Sequence, residues 1–166
     1  MIIKKANKTQ FESVYQILYK NALWLQTKSA QQWPLDWLEN KKQSILESIT
    51  VGEFYVGLID RQLSCVMQLT LKADFFWNDE NTVALYVHKL AVDRTYKNKG
   101  LGKKMLNEVE KIAKQQGIKT VRLDCVKANP FLKQYYTDSG FIQVGEADDE
   151  GETVLLFEKT VNKSIK

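Results

Sequence analysis

The sequence predicts an α/β protein of the mixed, α+β kind, with one sheet flanked by helices. Three observations carry that expectation. Strand-like runs recur along the chain, two of them meet at a tight Asp60-Arg61 turn, and from Thr82 onward strand and helix patterns alternate. Hairpin strands followed by alternating strands and helices give the order β-α-α-β-β-β-α-β-α-β-β.

Each element has its own signal. "MIIKKA" reads as a short strand. Thr9 and Glu12 have capping-box spacing, and Phe11, Val14, Tyr15, Leu18, Ala22 and Leu25 recur at helical period behind them. Asp36 and Glu39 repeat the start signal, with Leu38, Ile45, Leu46 and Ile49 as the buried stripe of a second helix ending near Gly52. "EFYVGLID" and "QLSCVMQLTLKAD" form the expected hairpin, with Leu63, Cys65, Met67, Leu69 and Leu71 alternating against Ser64, Gln68, Thr70 and Lys72. The strand "TVALYVHKLAV" leads to a helix whose apolar face is Leu101, Met105, Leu106, Val109, Ile112 and Ala113, and which stops at Gly117. "KTVRLDCV" is the next strand. Asn129 before Pro130 is an N-cap with proline at the first helical position; that short helix ends at Gly140, and "FIQVGEA" and "ETVLLFEKTV" close the chain as strands.

Composition sets bounds on function. The 166 residues, 44% of them apolar, suit a single domain over 1–166 with a core large enough to fold alone. No stretch approaches the roughly 20 consecutive apolar residues of a membrane span, and charge follows the apolar start instead of preceding it, unlike a signal peptide. A cytoplasmic protein without membrane partners is therefore expected. Cys65 and Cys125 lie far apart in apolar runs, so they read as buried thiols, and one histidine in the chain excludes histidine-rich zinc sites. No metal is expected. The net charge of +4 hints at anionic ligands. The lysines are interleaved with glutamates and no second basic cluster exists, which argues against a nucleic-acid partner.

The most informative stretch is "VDRTYKNKGLGKKML", Val92 to Leu106, which joins a strand to a helix through lysines and two glycines. A helix N-terminus presents backbone N–H groups without partners and about half a positive charge, and glycines let an anion approach the backbone. Lys97, Lys99, Lys103 and Lys104 add side-chain charge. Spacing excludes two common phosphate motifs. A nucleoside-triphosphate loop requires glycine where Lys97 stands and Ser or Thr where Lys104 stands. A dinucleotide fingerprint requires a third glycine where Met105 stands, and a tighter turn than the seven residues between Val92 and Gly100.

Lys97-Asn98-Lys99-Gly100-Leu101-Gly102 resembles the pyrophosphate loop of the GNAT superfamily of acyl-CoA-dependent N-acyltransferases, Arg/Gln-x-x-Gly-x-Gly/Ala, with lysine in place of the usual first residue. "NPFLKQYYTDSGF" resembles the family's second motif, Asn-x6-Tyr-x3-Gly-Phe, through Asn129, Tyr136, Gly140 and Phe141. Together with the element order, the resemblance covers nearly the whole chain. It implies a mixed, mostly antiparallel sheet, acetyl-CoA as co-substrate and a small-molecule amine as acceptor. Lys97, Asn98, Lys99, Gly100, Leu101, Gly102 and Lys103 would cradle the pyrophosphate. The family's fourth strand carries a bulge, and Leu90 and Val92 would offer backbone N–H groups to the pantetheine arm and the thioester oxygen. Asn129 would serve beside that arm as well as capping its helix.

The resemblance also assigns the proton chemistry. Tyr136 would protonate the leaving thiolate as general acid; a phenol near pKa 10 and a thiol near 8.5 are roughly 2 kcal/mol apart. Neighbouring Tyr135 stays open as the ring that faces the ligand. His88 is the candidate base, with Tyr86 two residues earlier, and water is the alternative. Asp74, Asp79 and Glu80, with Asp148, Asp149 and Glu150, would attract a cationic amine. The aromatics Phe75, Phe76 and Trp77, and Trp24, Trp33 and Trp37, are candidate walls of the acceptor pocket. A non-catalytic acyl-CoA sensor of the same fold is the alternative reading, and the sequence permits a homodimer without requiring one.

Overall fold

The structure is a computed structural model, and it describes residues 1–28, 32–79 and 81–162. Strands β1 (Ile2–Lys5), β2 (Phe54–Ile59), β3 (Gln62–Thr70), β4 (Leu85–Val92), β5 (Thr120–Val126), β6 (Ile142–Asp149) and β7 (Glu152–Thr160) form a sheet of order β1-β2-β3-β4-β5-β7-β6. The helices are α1 (Phe11–Thr27), α2 (Leu35–Asn40), α3 (Lys42–Thr50), α4 (Leu101–Gln115) and α5 (Pro130–Asp138), with 3-10 turns at Lys8–Gln10 and Arg94–Tyr96. The β1/β2, β2/β3, β5/β7 and β6/β7 pairs are antiparallel and β4/β5 is parallel, so the mixed, mostly antiparallel sheet is as expected. The chain divides into two compact units: Met1–Leu69 with His88–Met105, and Thr70–Val87 with Leu106–Lys166.

In the first unit, α1, α2 and α3 cover the β2–β3 hairpin. Val14, Leu18 and Ala22 of α1, Leu38 of α2 and Ile45 and Ile49 of α3 pack with Phe54, Val56 and Val66, and all are at most 2% exposed. Burial on this scale is what makes such short helices stable, at about 25 cal/mol for each Å² of apolar surface removed from water. The hairpin turns at Asp60 and Arg61, whose φ angles of 49° and 65° are those of the two-residue turn that matches strand twist.

Three local expectations are corrected here. The capping box is Asn7 with Gln10, not Thr9 with Glu12: the Asn7 side chain accepts from the Thr9 amide, and Gln10 Oε1 accepts from the Asn7 amide. The expected second helix is two, broken at Lys41, although Leu38, Ile45 and Ile49 still share one buried face. Strand β3 does not alternate. Ser64, Cys65, Val66, Met67, Gln68 and Leu69 are all buried because β3 is an interior strand, while Leu71 lies beyond its end and is 60% exposed.

In the second unit, β5 pairs with β7 over Thr120↔Thr160 to Val126↔Val154, and β6 pairs with β7 around a Glu150-Gly151 turn. Leu85 and Tyr86 of β4 pair in parallel with Val121 and Arg122. The apolar face read for α4, of which Leu101 to Met105 belong to the first unit and the rest to the second, is buried at every position, and Gly117, at φ 71°, ends that helix as expected.

Candidate functional site

The predicted residues fall into two groups, one in each unit. The first unit holds His88, Leu90, Val92 and the whole Lys97–Lys103 stretch; the second holds Asn129 and Tyr136.

The first group begins where β4 ends. Asn21 is a poor helix former in the middle of α1, and its position there has a reason. Its Nδ2 donates to Ile17 O at 2.8 Å in its own helix and to Val92 O at 2.9 Å, holding the last carbonyl of β4. One turn further along α1, the Arg94 guanidinium lies 3.7 Å from the centre of the Trp24 ring. Asp93 donates its amide to Ser64 O at 2.8 Å, and its side chain accepts from the Thr95 amide and hydroxyl, starting the 3-10 turn. The strand end is therefore anchored on α1 and β3 before the loop begins.

The loop then bends sharply. Asn98 (φ 60°) and Gly100 (φ 68°) are left-handed, separated by Lys99, a conformation that asparagine and glycine tolerate best. Left-handed residues on either side of one that is not left-handed suit a concave run of amides of the kind that binds anions. The first helical bond across this joint runs from the Lys104 amide to Gly100 O at 3.1 Å. The amides of Leu101, Gly102 and Lys103 precede it and so have no carbonyl one turn back. Lys97, Asn98, Lys99, Gly100 and Lys103 are exposed, whereas Leu101 and Gly102 are buried. Lys99 Nζ is 5.2 Å from the Tyr96 ring centre. Chemically, this is a cationic rim around free backbone donors.

His88, Leu90 and Val92 are each half-buried on β4. Between the first two stands Lys89, with φ 51°, the one left-handed residue within a strand among those described. Such a residue interrupts a strand ladder as a bulge does. Sequence reasoning passed over it.

The second group is organised by the end of α5. Asn129 Oδ1 accepts from the Leu132 amide at 3.3 Å, so the N-cap is as expected. At the other end the Phe141 amide donates to Tyr136 O and the Gly140 amide to Thr137 O, with Gly140 at φ 84°. This is the left-handed termination in which the residue after the glycine packs back on the last turn, and the Tyr136 and Phe141 rings are 6.1 Å apart. The Tyr-x3-Gly-Phe spacing thus has a structural cause: it places Tyr136 on the last turn and fixes its ring between Phe141 and Phe157.

Tyr136 is 8% exposed, and burial pushes its phenol above the ordinary value, with Cys125, Asp124 and Tyr135 adding to the rise. Burial also pushes up Tyr135 and the Cys125 thiol, the latter to about 12. The folded protein therefore holds the Tyr136 proton more tightly than the unfolded chain, whose tyrosines ionise near pH 10. This contribution is intact below about pH 10 and is lost as pH rises beyond it. The melting temperature is expected to fall more steeply between pH 9.5 and 11 for the unaltered protein than for Tyr136→Phe. Parallel curves would contradict it.

The other predicted surroundings are partly committed elsewhere. Arg122, 5% exposed in β5, donates from Nε to Glu158 at 2.9 Å, from Nη2 to Asp79 at 2.9 Å and from Nη1 to the Tyr86 hydroxyl at 3.3 Å, and lies 4.7 Å from the Trp77 ring centre. Asp79 is held below the usual carboxylate range by Thr82 and Arg122. Asp79 and Tyr86 are thus engaged in an ion-pair network, one that the sequence signalled only as a charge inside a strand pattern. Glu80 lies outside the described residues. Phe76 and Trp77 are buried beside Tyr86, and Phe75 is 72% exposed. Trp33 and Trp37 pack against the first unit's core. Removing Arg122 leaves two carboxylates without their shared donor. Arg122→Met is expected to lower the midpoint of urea unfolding, and no change in midpoint would refute that role.

A cavity of about 600 Å³ in the first unit, lined by Met1, Lys4, Gln10, Leu58 and Arg61 among others, contains none of the predicted site residues. Among the described residues no helix is long and apolar enough to cross a membrane.

Comparison with known proteins bears on the family and the fold. Residues 24–141 match the model of the Acetyltransferase (GNAT) family. An uncharacterized N-acetyltransferase of Bacillus subtilis (strain 168), YesJ, is 31% identical over 156 residues, which span 90% of this chain and 84% of that one. A GNAT-family acetyltransferase from Listeria monocytogenes 4b F2365 superposes with a TM-score of 0.80 at 24% identity, covering 96% of this chain and 94% of that one. The PaiA N-acetyltransferase from Thermoplasma acidophilum, solved in complex with coenzyme A, superposes with a TM-score of 0.76 at 22% identity, covering 96% and 98%.

Proposed function

The chain belongs to the acetyltransferase (GNAT) family, and from that premise we propose that it moves an acetyl group from acetyl-CoA to the primary amine of a small-molecule acceptor. The observation that carries the donor assignment is the loop ahead of α4, where left-handed Asn98 and Gly100 precede three amides without helical partners, ringed by lysines. A pyrophosphate fits such donors better than a carboxylate does, because it has oxygens enough to engage several at once.

The reaction is direct attack of the amine on the thioester. The new C–N bond forms as the C–S bond breaks, the amine gives up a proton, and the departing thiolate takes one. Leu90 and Val92 offer backbone donors on β4, and Asn129 lies at the start of the helix that carries Tyr136. Tyr136 supplies the thiolate's proton. Burial raises the Tyr136 phenol, and the same surroundings disfavour a charged thiolate, so both groups shift in one direction. His88 takes the amine proton, directly or through water. The site of action is the cytoplasm.

Release of free thiol from acetyl-CoA, followed against a panel of amines, tests the proposal. Thiol release that depends on an amine, with an acetylated product detected by mass, supports it. Tight coenzyme A binding without acetylation of any amine favours the sensor reading.

A further inference from the structure

Lys89 is a lysine in a conformation that lysine disfavours, within a strand, and something must hold it there. Its ammonium donates to Gln68 Oε1 at 2.7 Å and lies 5.8 Å from the centre of the Trp37 ring. Gln68, on β3, is only 9% exposed, and its amide is bonded at both ends. Its Nε2 donates to Ser48 Oγ of α3 at 3.0 Å and to Glu53 Oε2 at 2.9 Å. Both ends of the buried amide are thus used, and turning it over would set an N–H₂ against the ammonium. α3, the segment before β2, β3 and β4 are linked through one side chain, all within the first unit.

The consequence falls on β4. A left-handed residue reverses the direction in which the following backbone groups point and takes them out of the regular ladder. The residue that follows is Leu90.

We propose that Gln68 is a positioning residue: by holding the Lys89 ammonium it keeps Lys89 left-handed, and so keeps the Leu90 backbone aimed to receive the arm of acyl-CoA. This rests on the acetyl-CoA reading given above. Gln68 touches no reacting atom in this scheme, and Lys89 acts through the backbone it bends.

Glycine separates the backbone role from every other role of the side chain, because glycine adopts positive φ without a tether. Coenzyme A affinity by titration calorimetry and the KM for acetyl-CoA are to be measured for Lys89→Ala, Lys89→Met, Lys89→Gly, Gln68→Met and the double variant Gln68→Met/Lys89→Gly. Lys89→Ala, Lys89→Met and Gln68→Met are expected to lose roughly tenfold in affinity, with KM rising by a similar factor and kcat at saturating donor changing much less. Lys89→Gly is expected to recover most of that loss, and adding Gln68→Met to it is expected to cost little more. Equal impairment of Lys89→Gly and Lys89→Ala would overturn the proposal, since the side chain would then matter for itself. So would unchanged affinity in all five variants. No heat with coenzyme A from the unaltered protein would instead remove the acetyl-CoA reading beneath it, and the positioning role with it.

Discussion

Tyr136→Phe is expected to lower kcat by about 100-fold while leaving coenzyme A affinity within about twofold of the unaltered protein. The substitution removes one hydroxyl and keeps the ring that packs on Phe141 and Phe157, so the helix end that positions residue 136 survives. Thermal melting at neutral pH should show the same fold stability to within about 1 kcal/mol. One control, Tyr135→Phe, sharpens the result. If Tyr135 is the ring that faces the thioester, Tyr135→Phe carries the loss and Tyr136→Phe does not. Should both variants turn over normally, proton delivery by a phenol is wrong, and water must serve the thiolate.

The second large effect is expected at the loop. Gly102→Glu places a carboxylate beside the amides of Leu101 and Lys103, at a buried position on the first turn of α4. Both charge and bulk then oppose a pyrophosphate there, and coenzyme A binding should fall by at least about 100-fold in calorimetry. Gly100 allows a graded comparison. Nothing lies within 4 Å of a Cβ added at Gly100, so Gly100→Ala meets only the cost of φ 68°, about 1 kcal/mol, and should weaken binding a few-fold. Gly100→Pro fixes φ near −65° and cannot follow the turn at all. Retained affinity in Gly102→Glu and Gly100→Pro would place the phosphates elsewhere.

What could be read from the sequence divides by range. The face of α4 from Leu101 to Ala113 and the terminations at Gly117 and Gly140 are local patterns, and the structure matches them residue by residue. The break at Lys41 escaped notice because no glycine or proline marks it and the stripe Leu38, Ile45, Ile49 passes through it unaltered. At the first helix two start signals overlapped, and Asn7 prevailed over Thr9 because its side chain could bond both the Thr9 amide and the Thr9 hydroxyl. Strand β3 lost its alternation to its interior place in the sheet, which no pattern within 62–70 reveals.

The same division holds for the site. The Lys97–Gly102 loop is legible because its glycines and lysines are contiguous. Gln68 and Lys89 are 21 residues apart, Asn21 and Val92 are 71 apart, and Arg122 and Asp79 are 43 apart. Each residue alone looks like ordinary strand or helix polarity. Their chemistry exists only once the fold has closed the distance.

Both cysteines lie inside the protein, Cys65 at 0% and Cys125 at 1% exposure, with their thiols pushed up by burial. Exchange with a disulfide requires an accessible thiolate, and here almost none exists near neutral pH. A chromogenic disulfide added to the folded protein should therefore stay colourless until a turnover product appears. On the acetyl-CoA reading, coenzyme A set free in an oxidising spell likewise meets no exposed thiol on which to form a mixed disulfide.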